Sequence, residues 1–300
     1  ATMMAHTSLG AAPIAVFGTD HQKEKYLPGL ASGKKIGAFG LTEPNAGSDA
    51  GNTQTKAIVD GDYFIVNGEK SFCTNAGVAS VLIFTARIMK EGKDQGISAF
   101  VIESEHEGIA YSEPEKKMGW CASDTRSIFF KDLKIHKSSI LGDSSKGFKQ
   151  FLQTLTSGRI TIGALSLGTA QGAFNKAILY SQEREAFGKS INKFQSISFK
   201  LSDLATKIEA SKHLVYHAAW KKDKGHSVIK EASMAKLFAS EAAMEITTES
   251  IQILGGYGYI HEYDVERFFR DAKILEIGEG TSEIQRMIIS REILANINTI

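Results

Sequence analysis

The spacing of apolar and polar positions changes twice along the chain. Residues 1–30 are predicted to form two short helical pieces with a turn at 18–21. Short β-rich runs broken by turn-forming residues follow at 36–135, and helical spacing takes over after Gly147. The pattern predicts three regions: a helical segment at 1–35, a β-domain at 36–140 and a helical domain at 141–300.

The predicted strands of the β-domain lie close together in sequence and are separated by turn-forming pairs such as Asn67-Gly68. Such short connections favour antiparallel neighbours over helical crossovers, which argues against a Rossmann sheet. The predicted strands are 57–59, 63–66, 81–86, 97–102 and 127–130.

Periodic apolar positions in the helical domain predict four long helices, which together would form a bundle. Four glycines on the first helix would let a neighbouring helix or a cofactor approach closely, and helix packing is the favoured explanation. They are Gly158, Gly163, Gly168 and Gly172. The helices are predicted at 159–182, 195–221, 228–254 and 281–297.

The opening helical pieces are too short to form a core alone, and no initiator Met precedes them. We therefore expect an N-terminally truncated chain that lacks an upstream helical segment. Mass spectrometry of the full gene product would test this expectation.

Composition narrows the classes of partner. The 35 basic and 34 acidic side chains leave a net charge of +1, so we expect no nucleic acid or anionic membrane partner. No apolar run approaches the ~20 residues of a membrane span, so membrane insertion is not expected. Cys73 and Cys121 form no disulfide or metal motif, and no H-E-x-x-H or carboxylate pattern accompanies His213 and His217, so no metal is assigned.

Two segments of the β-domain carry groups that could meet a flat ring. One is the run F-G-L-T-E-P-N-A-G-S-D at 39–49, whose amides and hydroxyls could contact the ring or could form an ordinary turn. The other is 70–75, where Phe72 and Thr74 share one face of a strand. Phe72 could shield a ring to which Thr74 donates, or it could pack in the core.

Two further segments lie in the helical domain. The run Q-I-L-G-G-Y-G-Y at 252–259 ends a helix in glycines, which could simply terminate it or could admit a phosphate or ribose. The run I-G-E-G-T-S-E-I-Q-R at 277–286 gives Ser282 and Gln285 the spacing of a capping box at a new helix. Glu279 before it could complement the helix dipole or act as a base, and the local pattern does not decide between them.

From about Thr7 to Ile297 the chain resembles the acyl-CoA dehydrogenases. These four runs, with E-R-E-A-F-G at 183–188 and Q-S-I at 195–197, are similar to that family's motifs in order and spacing. The resemblance implies a multidomain α and β fold, with a remnant of an N-terminal helical domain, a central antiparallel β-domain and a C-terminal four-helix bundle. It also implies an FAD-dependent oxidoreductase of fatty acid β-oxidation that acts on acyl-CoA.

The same resemblance assigns binding residues, some of them to an FAD that belongs to a partner subunit. The resemblance therefore implies a homo-oligomer, a tetramer, in which a neighbouring subunit completes each active site. The implied cofactor-binding residues are Phe39, Leu41, Thr42, Gly47, Ser48, Phe72, Cys73, Thr74, Arg184, Phe187, Gln195, Gln252, Ile253, Leu254, Gly255, Gly256, Thr281, Ser282 and Glu283. The implied substrate-binding residues are Ser48, Thr156, Arg159 and Gly280.

Glu279 would remove the α-proton of the thioester as hydride passes from the β-carbon to the flavin, giving a trans-2-enoyl-CoA. Some family members place the base one residue before the Arg matched by Arg159, but this chain has Gly158 there, which leaves Glu279 as the matching candidate. We expect burial to raise the pKa of Glu279.

Three positions depart from common family residues: Phe72 replaces a Trp, Cys73 an Ile, and Gly278 the Tyr of many straight-chain enzymes. A glycine at 278 would open space near the reacting carbons, so a short, branched or cyclic acyl group is expected. Electron-transfer flavoprotein is the expected electron acceptor.

An oxidase or enoyl-CoA reductase on the same fold is an alternative. A non-enzymatic interaction protein is another, and it would have a positively charged surface and would lack the catalytic base. The resemblance favours a cytoplasmic location, or the mitochondrial matrix in a eukaryote.

Overall fold

The computed structural model describes residues 1–144 and 146–295. It divides into two compact units, Ala1–Lys117 with Cys121–Leu155, and Met118–Trp120 with Thr156–Ile300. Residues 296–297 of the predicted fourth helix and the end of the predicted domain 141–300 lie outside the described residues. The boundaries expected at 35 and 140 remain predictions.

Helices open the first unit. They are α1 (Thr2–Met4), a π-helical stretch (Ala5–Ala11), α2 (Ala12–Phe17) and α3 (Asp20–Ala31). Thr19 begins α3 with a capping box, because its Oγ1 accepts from Gln22 N at 3.2 Å and its N donates to Gln22 Oε1 at 3.1 Å. Asp20 and His21 therefore belong to the helix, and the turn is shorter than predicted.

An eight-stranded sheet forms the body of the first unit. Its spatial order is β6-β7-β3-β2-β4-β5-β8, and β1 also pairs with β4. The strands are β1 (Gly37–Gly40), β2 (Lys56–Asp60), β3 (Tyr63–Thr74), β4 (Val81–Lys90), β5 (Lys93–Glu103), β6 (Ile109–Tyr111), β7 (Thr125–His136) and β8 (Ile140–Leu141). The five predicted strands lie within β2, β3, β4, β5 and β7.

Most neighbours in this sheet are antiparallel, as the short connections predict. β4 is the exception, since β1 pairs in parallel with its first half and β2 with its second half. The strand is buried on both faces: Val81 and Ile83 pack with the N-terminal helices, whereas Leu82 and Phe84 pack in the core formed by the other strands. This explains its nearly continuous apolar run.

A β-bulge near the end of β3 decides where Phe72 lies. The pairing of β3 with β7 shifts register between Lys70 and Cys73, and Phe72 takes a left-handed backbone with φ 55°. Phe72 is 69% exposed, Thr74 is half-buried, and Cys73 is buried in the core. The alternative in which Phe72 packs in the core is therefore wrong, because the bulge turns its side chain outward.

Helices dominate the second unit. They are α4 (Gly147–Glu183), whose residues up to Leu155 belong to the first unit, α5 (Gln195–Asp223), α6 (Ile229–Leu254), α7 (Val265–Ala272) and α8 (Ser282–Ala295). Two short strands, β9 (Glu185–Ala186) and β10 (Lys189–Ser190), form a hairpin after α4. The four predicted helices correspond to α4, α5, α6 and α8, and α4 begins at Gly147 rather than at residue 159.

Small residues let these helices approach one another. A Cβ at Gly163 would lie 3.1 Å from Val215 Cγ2, and one at Gly172 would lie 2.8 Å from Phe268 Cε1. Gly168 meets nothing within 4 Å. Helix packing thus explains two of the four α4 glycines that the sequence pattern singled out. In the described part of the chain, no helix is both long and apolar enough to cross a membrane.

Candidate active site

Glu279 lies in the loop between a 3₁₀ turn (Lys273–Glu276) and α8. Its backbone is left-handed with φ 55°, and Gly280 follows with φ 97°. Both carboxylate oxygens are buried, and neither has a hydrogen-bond partner among the described residues. Burial raises the pKa of Glu279 to about 7, although the nearby Arg159 and Lys236 cations act to lower it. A carboxylate with such a pKa suits general-base chemistry near neutral pH.

α4 leaves the space into which this carboxylate points. A Cβ at Gly158 would lie 1.6 Å from Glu279 Oε2 and 2.7 Å from Glu279 Cδ. The carboxylate therefore fills the volume that a side chain at position 158 would need. Arg159 is buried, and its Nε has no hydrogen-bond partner in the described residues. Burial lowers the pKa of Arg159, and the Glu279 charge acts to raise it. Thr156, which lies about one helical turn before Arg159 on α4, is half-buried.

Lys236 and Gln285 belong to this cluster, although the sequence pattern did not single out either as a functional residue. Both are fully buried. Lys236 Nζ donates to the Gly280 carbonyl at 2.7 Å, and Gln285 Nε2 donates to the same oxygen at 2.8 Å. A signal for Lys236 existed in the sequence, since it is a lone charge among small apolar residues on the buried face of α6.

The start of α8 differs from the predicted capping box. Thr281 rather than Ser282 caps the helix, since its Oγ1 accepts from Ile284 N at 3.4 Å. Gln285 donates backwards to the Gly280 carbonyl and so does not pair with Ser282. The Ser282 Oγ and Gln285 Oε1 atoms are buried without partners in the described chain, whereas Glu283 is exposed. Buried orphan polar atoms of this kind indicate a place for a polar ligand.

A cavity of about 470 Å³ lies in another part of the second unit. It gathers several of the predicted cofactor-binding residues at the C-terminal end of α6 and the end of α4. Arg184 lies over the Tyr257 ring, with its Cζ 5.9 Å from the ring centroid. The lining residues are Tyr180, Arg184, Ile191, Ile253, Leu254, Gly255, Gly256, Tyr257 and Ile260.

Three other predicted cofactor residues of this unit do not line the cavity. Phe187 is 96% exposed on a left-handed backbone with φ 54°, although its ring contacts Phe194 edge-on at 6.1 Å. Gln195 and Gln252 are exposed.

The predicted flavin loop of the first unit is tied down by a buried ion pair. Lys70 Nζ donates to Glu43 Oε1 at 2.6 Å, and the Glu43 carboxylate also accepts from Gln54 N at 2.6 Å and Thr55 N at 3.1 Å. Burial acts to raise the pKa of Glu43, but Lys70 and these hydrogen bonds hold it below its usual value. A further hydrogen bond holds the start of this loop, since Ser71 N donates to the Thr42 carbonyl at 2.8 Å.

Side chains of the predicted flavin-binding residues in this unit differ in exposure. Phe39 stacks on Phe151 with ring centroids 4.2 Å apart, and Leu41 packs partly into the same core. Gly47 and Ser48 are exposed, and Thr42 is half-buried. The side chain of Cys73 is buried, and burial raises its pKa to about 12. Only the backbone of Cys73 could therefore contact a flavin.

No group of three or more His, Cys, Asp or Glu side chains within 1–144 and 146–295 is arranged to hold a metal ion. Of the two histidines considered from the sequence, His213 approaches Glu209 at 3.3 Å and His217 stacks on Trp220. These contacts give both residues ordinary helix-surface roles.

Three family models match successive parts of the chain. They describe the N-terminal domain of acyl-CoA dehydrogenase at residues 1–34, the middle domain at 38–133 and the C-terminal domain at 145–294.

Individual relatives agree with these matches. The chain is 51% identical to the probable acyl-CoA dehydrogenase YngJ of Bacillus subtilis (strain 168), over 97% of this chain and 77% of that protein. It is 46% identical to the caffeyl-CoA reductase-Etf complex subunit CarC of Acetobacterium woodii, over 96% of this chain and 76% of that protein. The structure of butyryl-CoA dehydrogenase from Megasphaera elsdenii superposes with a TM-score of 0.95 at 47% identity, covering 98% of this chain and 77% of that one.

The matched domains account for nearly the whole described chain, and the fold agrees with that of a solved relative throughout. The chain therefore belongs to the acyl-CoA dehydrogenase family, whose members are FAD-dependent oxidoreductases.

Proposed function

We propose that the protein converts a short acyl-CoA thioester to the trans-2-enoyl-CoA, with Glu279 as the base that removes the α-proton. The observation that carries this proposal is the buried, unpartnered Glu279 carboxylate with its pKa raised to about 7. A structural carboxylate would have hydrogen-bond partners in such a place, whereas a base must keep its oxygens available for substrate.

The other residues of the cluster would support this base. Arg159 offers a buried guanidinium whose Nε has no partner in the described chain, which suits a polar portion of the substrate. FAD, when bound, supplies the acceptor for the hydride that leaves the β-carbon. The orphan atoms of Ser282 and Gln285, the outward-facing Phe72 and the cavity beside Arg184 are the features of this chain that suit such a cofactor.

Gly278 leaves space near Glu279, which bears on the acyl groups that the site accepts. A Cβ at this position would meet only the Ile274 carbonyl oxygen, at 3.4 Å, so the space beside Glu279 is open in this chain. We infer that branched or cyclic short acyl groups are accepted together with straight ones. Turnover of isobutyryl-, 2-methylbutyryl- and cyclic acyl-CoAs should then be comparable with that of butyryl-CoA, and a large preference for butyryl-CoA would contradict the inference.

Bleaching of the flavin absorbance under anaerobic conditions tests the base. We expect butyryl-CoA to bleach the flavin of the wild type, and Glu279→Gln to slow this by a factor of at least about 10² because the general base is lost. FAD content and substrate affinity should be retained, since Gln is close to isosteric with protonated Glu. Bleaching of Glu279→Gln at the wild-type rate would refute the assignment.

Enoyl-CoA reduction is the second candidate function. The 46% identical relative from Acetobacterium woodii is named as a reductase subunit in a complex with Etf. Electron-transfer flavoprotein is therefore the proposed electron partner for either direction. Comparing the rate of butyryl-CoA oxidation with that of crotonyl-CoA reduction, each with electron-transfer flavoprotein as carrier, separates the two directions, and rapid reoxidation of the flavin by oxygen would favour an oxidase.

We also propose that the active protein is a homotetramer, as is typical of the family. The exposed Phe187 and the cavity beside Arg184 support a cofactor site completed by a partner subunit. Sedimentation velocity of the FAD-loaded protein tests this, and a monomer with full FAD content would contradict it. The cytoplasm remains the predicted cellular location.

A further inference from the structure

The loop that carries Glu279 has an unfavourable backbone. Glu279 is left-handed with φ 55°, a conformation that is unfavourable for a non-glycine residue. Gly280 follows with φ 97°. A non-glycine residue in this conformation keeps it only when surrounding contacts hold it. The Glu279 carboxylate gives no such contact, since its oxygens have no hydrogen-bond partner in the described residues.

Two buried donors from different helices provide the missing contacts. Lys236 of α6 reaches the Gly280 carbonyl oxygen at 2.7 Å, and Gln285 of α8 reaches the same oxygen at 2.8 Å. Gln285 Nε2 also lies 3.5 Å from the Glu279 carbonyl oxygen. The peptide group next to the base is therefore fixed from its carbonyl side by one charged and one neutral donor.

Lys236 is more than a hydrogen-bond donor. No carboxylate in the described chain lies within ion-pair distance of its ammonium group, although the side chain is fully buried. Burial lowers the pKa of Lys236 to about 8; the Glu279, Glu276 and Glu241 carboxylates act to raise it, and Arg159 acts to lower it. A hydrogen bond to a carbonyl alone would not require a buried cation, because a neutral donor such as Gln285 serves that purpose.

We propose that Lys236 is a positioning residue for Glu279, which fixes the Gly280 peptide together with Gln285 and whose cation keeps the Glu279 carboxylate available as a base. The inference rests on the proposed role of Glu279. The charged groups that face the carboxylate are Arg159 on α4 and Lys236 on α6. Both favour the ionised carboxylate, and burial opposes them.

Three variants of the FAD-loaded protein separate the two contributions of Lys236. Lys236→Met removes the donor and the charge, Gln285→Met removes only the neutral donor, and Lys230→Met removes a charge from the first turn of the same helix. The readout is the pH dependence of the first-order rate of flavin bleaching by butyryl-CoA, between pH 5.5 and 9 at roughly half-unit steps.

We expect Lys236→Met to raise the kinetic pKa of the base by about one unit and to slow bleaching by about tenfold at pH below that pKa. Gln285→Met should slow bleaching at every pH without changing the kinetic pKa, because it weakens only the hydrogen bonding that holds the Gly280 peptide. Lys230→Met should leave both the rate and the pKa unchanged. Lys236→Gln, which keeps a neutral donor, provides the same pKa readout if Lys236→Met does not load FAD.

Two results would overturn the inference. One is a kinetic pKa of wild-type value in both Lys236 variants, since a purely structural lysine would not alter it. The other is an equal rise of the pKa in Lys230→Met, which would mean that remote charge suffices. The proposed function fails separately, if Glu279→Gln bleaches at the wild-type rate.

Discussion

Gly158→Ala tests whether the position of the Glu279 carboxylate limits the reaction. The new Cβ would lie 1.6 Å from Glu279 Oε2, a separation that no real pair of atoms adopts without bonding. The nearest atom is the far end of a flexible side chain, so the carboxylate can rotate away while α4 and the loop keep their places. The substitution therefore displaces the base without removing any of its atoms.

The substitution should slow the reaction and leave the stability nearly unchanged. Ordinary van der Waals contact begins near 3.4 Å, so Oε2 must retreat by roughly 1.8 Å. A misplacement of about 1 Å can cost a factor of ~10² in rate, so we expect flavin bleaching by butyryl-CoA to slow by about that factor or more. Alanine is favoured over glycine within a helix by up to about 1 kcal/mol, which should offset the strain of rotating the Glu279 side chain.

Stopped-flow bleaching of the flavin and urea denaturation measure these two effects on the same preparations. Gly168→Ala is the matched control, because it makes the same change on the same helix where a Cβ meets nothing within 4 Å of this chain. It should keep the wild-type bleaching rate and a stability equal to or above that of the wild type. A bleaching rate for Gly158→Ala within about threefold of wild type would refute the reasoning that carboxylate placement is limiting.

Two further predictions concern buried charges. Lys70→Met should reduce the free energy of unfolding by about 3–5 kcal/mol, because it leaves the Glu43 carboxylate buried without its cation. Lys137→Met breaks an exposed pair with Asp62 and should lower the urea midpoint far less, so equal midpoints for the two variants would contradict the prediction. Stability should also fall as pH rises from about 4.5 to about 7, since folded Glu279 keeps its proton in this range and the unfolded chain does not. Glu279→Gln should flatten that part of the profile of unfolding free energy against pH, and an unchanged slope would show that another group is responsible.

Local patterns placed most elements of this fold correctly. Short β-rich runs between turn-forming residues predicted five of the strands, and apolar positions at helical spacing predicted α4, α5, α6 and α8. β6, β8, β9 and β10 were missed, because two or three residues are too few to show a pattern. The parallel pairing of β1 and β2 with β4 was also missed, since short connections predict only which strands are close, and not how the chain crosses the sheet.

Local patterns failed where a second contact competes with the predicted one. Ser282 and Gln285 have the spacing of a capping box, yet Gln285 turns back to the Gly280 carbonyl and Thr281 caps α8. Phe72 fits a core position by residue type, but the bulge in the pairing with β7 turns it outward. The position of Phe72 depends on pairing with a strand distant in sequence, whereas at α8 one local hydrogen-bond arrangement replaces another.

The sequence by itself determined the family and the order of the elements, and it singled out Glu279, because motifs and periodicities are properties of neighbouring residues. The tertiary structure decided what surrounds that carboxylate. It shows that Gly158 makes room for the Glu279 carboxylate and that Lys236 and Gln285, from two helices, meet at the Gly280 carbonyl oxygen. Burial and the charges of Arg159 and Lys236 then set the pKa of Glu279, and both depend on distances that the linear order of residues does not contain.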